Sequence, residues 1–359
     1  MDILNYLQGM AVQHGPSGHE AEVSGWLKAR FEALCDSVTI DPLYNVIALK
    51  KATAPTKDGS PAPRVMLAAH QDEIALMVAD ILPDGSLRMG QVGGVDPRIL
   101  PASTVTVHAT GAGNGTARLL GVVGSTPPHL LSAADREHNY KREDLFVDLG
   151  LPVDKVRAQV RIGDLITLHG PATPLLNDRC AAKTMDDRAC VACLLEAAER
   201  LQKMSHICDI YFVATSQEEV GSKGASVAAH AIDPDLAVAL DVTHATIPQS
   251  RPDTTVPLDA PAATYGPFVQ YKLLERLKKT AKDHGIKLNT EHAERFTYTD
   301  LDNIQIAREG VPCVLIDLPL KYMHTTVELL DMNVIRECGR LLAHFLGDLD
   351  EGWNEALWS

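Results

Sequence analysis

The chain has 359 residues, 45% hydrophobic and 22% charged, which is the composition of a globular protein with a substantial core rather than a disordered chain. Its formal net charge of −14 disfavours nucleic acid and anionic membrane surfaces as partners. No apolar run reaches the roughly 18 residues of a transmembrane helix, and seven cysteines, an odd number, do not make a disulfide framework. The first residues lack a basic and then apolar leader, so a cytoplasmic protein is expected.

In chain order, residues 3–12 have the spacing of an amphipathic helix. Gly15-Pro16-Ser17-Gly18 breaks it, and residues 20–34 resume helical spacing with Val23, Trp26, Leu27 and Phe31. Residues 38–49 read as extended chain interrupted at Asp41-Pro42, and 53–63 as a Pro/Gly/Lys-rich loop. The apolar run 65–69 then predicts a strand ending on His70. From 74 to 169 the texture changes to short β-like runs with frequent Gly and Pro and one helical stretch. Runs 104–109 and 117–123 flank Gly111-Ala112-Gly113-Asn114-Gly115, a hairpin signature. That glycine run is no dinucleotide fingerprint, because strand-like sequence follows it where a helix is required.

Beyond Pro171 strand and helix alternate: a helix from Asp186, strand 210–216, helix 221–231 and strand 236–242. A helix over 267–284, a strand over 313–318 and a final helix over 327–346 complete the pattern. Cys190 and Cys193 have CxxC spacing but lie on a helix that reads as buried, with no second CxxC, so packing explains them. The lysine-bearing stretch 272–282 reads as a solvated helix face. The expected fold is α/β, a mostly parallel sheet flanked by helices over 1–74 and 171–359, interrupted by a small β-rich insertion over 75–170.

Four of the apolar runs end on metal-binding residues: His70 with Asp72, Glu218-Glu219, Asp241, and His324 after Tyr322-Met323. Asp186-Asp187 opens a helix in between. Open α/β sheets bind ligands outside the carboxyl ends of their strands, so chelators recurring there point to a metallohydrolase. His70 and Asp72, two residues apart on extended chain, point the same way, and a carboxylate beside an imidazole can fix its tautomer. Glu218 and Glu219 diverge, so one can bind metal while the other acts as general base. Each candidate also has an ordinary reading: a capped or surface His70, a helix-start acid at Glu218 or Glu219, a turn-capping Asp241, a loop His324, and helix-capping Asp186 and Asp187. Taken jointly, a mixed His and carboxylate set suits a pair of Zn²⁺, Co²⁺ or Mn²⁺ ions better than Mg²⁺ or Ca²⁺. Two such ions can polarise a carbonyl and activate water together.

The stretches Ala68-Ala69-His70-Gln71-Asp72-Glu73-Ile74, Met185-Asp186-Asp187-Arg188, Gln217-Glu218-Glu219-Val220-Gly221, Leu240-Asp241-Val242-Thr243 and Tyr322-Met323-His324 resemble the M42 family of metallo-aminopeptidases. That family includes the tetrahedral self-compartmentalising aminopeptidases and proteins once labelled cellulases or glucanases. Pro127-Pro128-His129-Leu130, Asp144-Leu145-Phe146-Val147-Asp148 and Thr299-Asp300 extend the likeness, in family order, over nearly the whole chain. The resemblance implies the co-catalytic zinc peptidase fold, an inserted β-barrel-like dimerisation domain over 75–170, and two divalent metals per subunit, Zn²⁺ or Co²⁺ before Mn²⁺. On that pattern Asp186 would bridge the metals, His70 and Asp241 would complete one site, and Glu219 and His324 the other. Glu218 would be the general base that takes a proton from the bridging water and hands it to the leaving amine, and Asp72 would orient His70. The implied reaction removes the N-terminal residue from peptides, on or within a homo-oligomer of dimers, often a dodecamer.

Ala75 stands where the family commonly has Gly, Leu301 where it has a small residue, and 247–265 matches poorly. None is a proposed ligand, but these departures leave the pocket and the preferred N-terminal residue unassigned. A glycosidase would also use paired carboxylates, yet it has no need of His70 or His324, and sugar-stacking aromatics are only 5% of the chain. A related dinuclear metal amidohydrolase, a deacylase or a carboxypeptidase, would use the same ligands, with Arg295 or Lys321 available to a substrate carboxylate. A non-catalytic assembly protein would not need every ligand and the base intact. Serine or cysteine nucleophile chemistry lacks a G-x-S-x-G motif.

Overall fold

The structure is a computed structural model that describes residues 1–57, 59–111, 115–133 and 135–358, with backbone alone at 128, 135, 355, 356 and 358. The chain forms two compact units. The first comprises Met1–Asp72, Pro171–Met323 and Val327–Ser359, and the second Glu73–Gly170 with His324–Thr326.

Helices α1 (Ile3–Ala11) and α2 (Ala21–Phe31) lead into strands β1 (Ser37–Ile40), β2 (Val46–Lys50) and β3 (Arg64–His70). The second unit then contributes β4 (Ala75–Ile81), β5 (Leu87–Val92), β6 (Thr104–Ala109), β7 (Ala117–Ser125), β8 (Leu145–Asp148), helix α3 (Val153–Gln159) and β9 (Leu165–Leu168). The first unit resumes with β10 (Thr173–Leu175), β11 (Arg179–Ala182), α4 (Met185–Arg200), β12 (Asp209–Thr215), α5 (Lys223–Ile232) and β13 (Leu236–His244). It ends with β14 (Ala262–Tyr265), α6 (Tyr271–Asp283), β15 (Asn289–His292), α7 (Leu301–Ile304), β16 (Cys313–Leu320), β17 (Glu328–Asp331), α8 (Met332–Gly347) and α9 (Trp353–Trp358).

The main sheet has strand order β1-β2-β12-β3-β13-β16-β14-β15. Its four middle strands, β12, β3, β13 and β16, run parallel, and β2 and β14 join them antiparallel on either side. Helices cover the sheet, so β3, β13 and β16 are buried along nearly their whole length and read as unbroken apolar runs. Helix α4 packs on β3 and β13, α8 packs on α4, and α5 packs on β12 and β3. The α4–α8 approach is close: a Cβ at Gly339 would lie 2.5 Å from Glu196 Cγ and 3.1 Å from the Cys193 carbonyl oxygen. In the same interior Phe31 of α2 stacks on Phe212 of β12, ring centroids 6.1 Å apart. Cys190 and Cys193 are buried thiols on α4, in keeping with packing.

The second unit is a closed barrel in the order β4-β5-β8-β7-β6-β9, filled by Leu76, Val78, Leu87, Val105, Val107, Val147 and Ile166. Strands β6 and β7 pair antiparallel, as their hairpin signature predicts, while the loop residues 112–114 lie outside the described residues.

Sequence periodicity and structure differ at several boundaries. The interrupted stretch 38–49 is a β1–β2 antiparallel pair. The helix expected over 267–284 begins at Tyr271, because the Gln270 side chain accepts from the Lys272 and Leu273 amides and caps it there. The helix expected over 327–346 as the last begins at Met332 and is followed by α9. Glu328–Asp331 is drawn into a small sheet with Arg179–Ala182, and Asp331 caps α8 by accepting from the Asn333 amide. Among the described residues, no helix is long and apolar enough to cross a membrane.

Candidate active site

The candidate residues of the first unit lie where the parallel strands end. His70 closes β3, Asp241 lies in the C-terminal half of β13, and the turn Gln217-Glu218-Glu219 follows β12. Asp186 and Asp187 open α4 with non-helical backbone, preceded by Thr184 in the left-handed region (φ 61°). The strand β12 register sets Thr215 opposite His70, which brings the glutamate turn beside the histidine.

Two overlapping groups result. His70, Asp186 and Glu219 offer ligand atoms all within 4.8 Å of one another, and so do His70, Asp187 and Asp241. His70 Nε2 lies 3.0 Å from Asp186 Oδ1, while Nδ1 faces Asp72 Oδ1 at 3.4 Å, longer than a well-made hydrogen bond. The His70 amide donates to Asp187 Oδ2 (3.2 Å), and Asp187 Oδ1 is buried without a partner among the described residues. The Asp186 amide donates to the buried Glu328 carboxylate (3.2 Å), and Cys190 Sγ donates to the Asp241 carbonyl (3.1 Å).

The electrostatics are those of crowded acids. Burial drives Asp187 and Asp241 well above the usual carboxylate range, and the His70 imidazole offsets this only in part. Burial likewise opposes a charged His70, but the hydrogen bond to Asp186 and the adjacent Asp72 carboxylate outweigh it and lift its pKa well above the usual imidazole value. Asp72 moves the other way: burial would raise it, yet His70, Ser17 and the Glu218 amide hold it below its ordinary value. Glu218 is pushed up to about 8 by burial, offset by His70 and reinforced by Asp300, Asp72 and Glu219. Buried carboxylates and an imidazole gathered this closely are costly unless a cation or protons balance them. The donor set is hard oxygen plus one borderline nitrogen, which fits Zn²⁺, Co²⁺ or Mn²⁺.

Around these groups lie residues with no sequence spacing to reveal them. The Glu218 and Glu219 amides donate to Asp72 Oδ1 (3.0 Å) and Oδ2 (3.3 Å), and Ser17 Oγ donates to Asp72 Oδ2 (2.6 Å). The Gln217 amide donates to Glu20 Oε1 (3.1 Å). Ser222 Oγ donates to Glu218 Oε1 (3.0 Å), and Thr215 donates to Asp300, a buried carboxylate whose Oδ1 has no partner among the described residues. Arg188, fully buried, donates to the carbonyls of Gln71 (2.7 Å), Met10 (3.1 Å) and Gln13 (2.8 Å), tying the end of α1 to the segment after β3. His324 falls in the barrel unit, with left-handed backbone (φ 60°) and Nδ1 2.9 Å from the Gly94 carbonyl oxygen. Asp187, named beside Asp186 as a candidate but absent from the ligand set that the resemblance implies, lies in the second of these groups. Of the two candidate partners for a substrate carboxylate, Arg295 is exposed and Lys321 half-buried.

Residues 51–341 match the sequence profile of the family described as M42 glutamyl aminopeptidase. The chain belongs to the M42 peptidase family. It is 37% identical over 320 residues to the lysyl aminopeptidase of Pyrococcus furiosus, covering 88% of each chain. Its fold superposes on the TET aminopeptidase from Thaumarchaeota archaeon SCGC AB-539-E09 with a TM-score of 0.90, at 29% identity and with 99% of each chain covered. The TET1 peptidase of Pyrococcus horikoshii, which can assemble into a tetrahedron or a large octahedral shell, gives a TM-score of 0.81 at 25% identity, covering 97% of this chain and 100% of that one. The chain is therefore an M42-type aminopeptidase, a peptide hydrolase, and the family is metal-dependent. Within an M42 enzyme the mixed sheet with an inserted six-stranded barrel is the expected architecture.

Proposed function

We propose that this M42 enzyme removes the N-terminal residue from peptides with two divalent cations, Zn²⁺ or Co²⁺ before Mn²⁺, and with Glu218 as general base. The observation that carries the reading is the pair of overlapping groups sharing His70, with Asp186 and Glu219 on one side and Asp187 and Asp241 on the other. His70, Asp186, Glu219 and Asp241 would hold the ions, Asp187 lies within reach of them, and Asp72 would orient His70. His324 stays an expectation of the family resemblance. When bound, the cations supply Lewis acidity that polarises the scissile carbonyl and lowers the pKa of water. Glu218 takes a proton from the attacking water and returns it to the departing amine nitrogen, so the carboxylate is restored each turnover. Ser222, donating to Glu218 Oε1, leaves Oε2 to handle the proton.

We also propose self-association into dimers and a larger homo-oligomer. The barrel strand β7 presents Leu120 (65% exposed) and Val122 (49% exposed) side by side on its outer face, an apolar pair that association would cover.

The test is a panel of aminoacyl-p-nitroanilides and N-blocked peptides, assayed after chelation and again after Zn²⁺, Co²⁺ or Mn²⁺ is returned. Metal-restored cleavage of free-amine substrates alone is expected. Cleavage of blocked peptides would replace the aminopeptidase reading with a deacylase or carboxypeptidase one.

A further inference from the structure

The turn that carries Glu218 and Glu219 is not held by its own side chains. Its three consecutive amides, those of Gln217, Glu218 and Glu219, point at carboxylate oxygens from two other segments. Asp72 takes two of them, and the third goes to Glu20. Glu20 lies at the end of the loop between α1 and α2, next to Ser17, whose hydroxyl supports Asp72. This short loop therefore touches both carboxylates that hold the turn.

Glu20 is an unexpected residue in this place. It is 0% exposed, its Oε1 accepts from the Gly18 amide (2.7 Å) as well as from Gln217 (3.1 Å), and its Oε2 is buried with no partner among the described residues. A buried carboxylate oxygen left unmatched costs stability, so the residue needs a reason beyond packing. It does not cap α2, since no side-chain cap hydrogen bond is made there. Its service is to the backbone: Gln217 adopts left-handed φ of 56°, a conformation a non-glycine residue keeps only when its surroundings impose it. An acceptor fixed by Gly18 and aimed at the Gln217 amide supplies that constraint.

We propose that Glu20 is a positioning residue for the aminopeptidase reaction, acting through the Gln217 amide to set the turn that aims Glu218 at its proton and Glu219 at a metal. The inference rests on the functional reading above for the roles of Glu218 and Glu219, and it concerns the acceptor oxygen rather than the charge of Glu20.

Three full-length proteins decide it: the wild type, Glu20→Gln and Glu20→Ala, each loaded with Zn²⁺ after chelation. Two readouts are taken: kcat and KM on a free-amine aminoacyl-p-nitroanilide, and zinc retained per subunit after dialysis against a weak chelator. Removal of a hydrogen-bonding support behind a metal ligand costs about 10–100-fold in affinity or activity. Glu20→Ala is therefore expected to lose about 10–100-fold in kcat, with KM within about twofold, and to retain less zinc. Glu20→Gln keeps an oxygen for both amides, so its kcat and zinc retention are expected within about threefold of wild type.

Wild-type kcat and zinc retention in a folded Glu20→Ala would overturn the proposal, as would a Glu20→Ala that loses thermal stability alone. A Glu20→Gln as impaired as Glu20→Ala would overturn it too, because charge and not the acceptor would then matter. If Glu20→Ala does not fold, Glu20→Gln decides by itself, and a tenfold loss of kcat there sinks the idea. A wild type that cleaves no free-amine substrate refutes the aminopeptidase reading instead, and zinc retention still judges Glu20.

Discussion

Glu218 has surroundings that suit the proposed role of general base. Ser222 occupies one carboxylate oxygen, Asp72 holds its amide, and burial lifts its pKa to about 8, near the range in which a carboxylate exchanges protons at neutral pH. Its neighbour Glu219 belongs to one of the two groups proposed to hold metal, and Glu218 belongs to neither. Glu218→Gln should therefore lower kcat by about 10²–10⁴-fold while leaving KM and metal content near wild type. Steady-state kinetics with metal analysis of the same preparation checks this. A variant that loses its metal along with its activity would show that Glu218 is a ligand and not a base.

At the scale of elements, the α4–α8 contact joins the helix that opens on Asp186 and Asp187 to the helix over Met332–Gly347, and Gly339 is a close point of it. Gly339→Ala would set a methyl against Glu196 Cβ (2.6 Å) and a backbone carbonyl, so one helix must shift. The expected loss is about 1–3 kcal/mol, read as a lower denaturation midpoint at unchanged denaturant slope. An unchanged midpoint would mean that the helices slide apart at no cost. The elements that position the site were legible because buried parallel strands must be apolar along their length, so a chelator closing such a run stands out, as at His70 and Glu218-Glu219. The start of α8 is not legible because Val327-Glu328-Leu329-Leu330 fits either period, and only pairing with Arg179–Ala182, far off in sequence, decides for strand. Ser17 and Glu20 escaped notice because side-chain-to-backbone bonds such as Glu20 to Gln217 leave no periodic trace. The separate placement of Asp186 and Asp187 is not legible, since two adjacent acids before a helix look alike until their dihedrals are known.

For the whole molecule, one histidine outside the candidate site couples folding to pH. His206 is buried, and its Nδ1–H donates to the Cys208 carbonyl (2.8 Å), while Nε2 has no partner among the described residues. Burial holds its pKa below the usual imidazole value, with only partial compensation from the Cys208 carbonyl. The unfolded chain takes up this proton near about pH 6.5 and the folded one resists it. His206 therefore contributes its full stability above about pH 6.5, and the contribution is lost as pH falls toward the depressed folded value. His206→Gln, which keeps a donor for Cys208, should show a flatter dependence of melting temperature on pH between about 7.5 and 5.5. Parallel profiles for the two proteins would contradict it.

The turn at 217–219 has a consequence for how this enzyme can diverge or be redesigned. Because main-chain amides read carboxylates at positions 20 and 72, the identity of residue 217 carries little of the instruction; what it must supply is a left-handed φ, which Asn or Gly also accept. Variation should therefore be tolerated at 217 and resisted at 20 and 72. A designer who copies the Gln-Glu-Glu triplet onto another strand end would transfer the reactive groups without the acceptors that orient them.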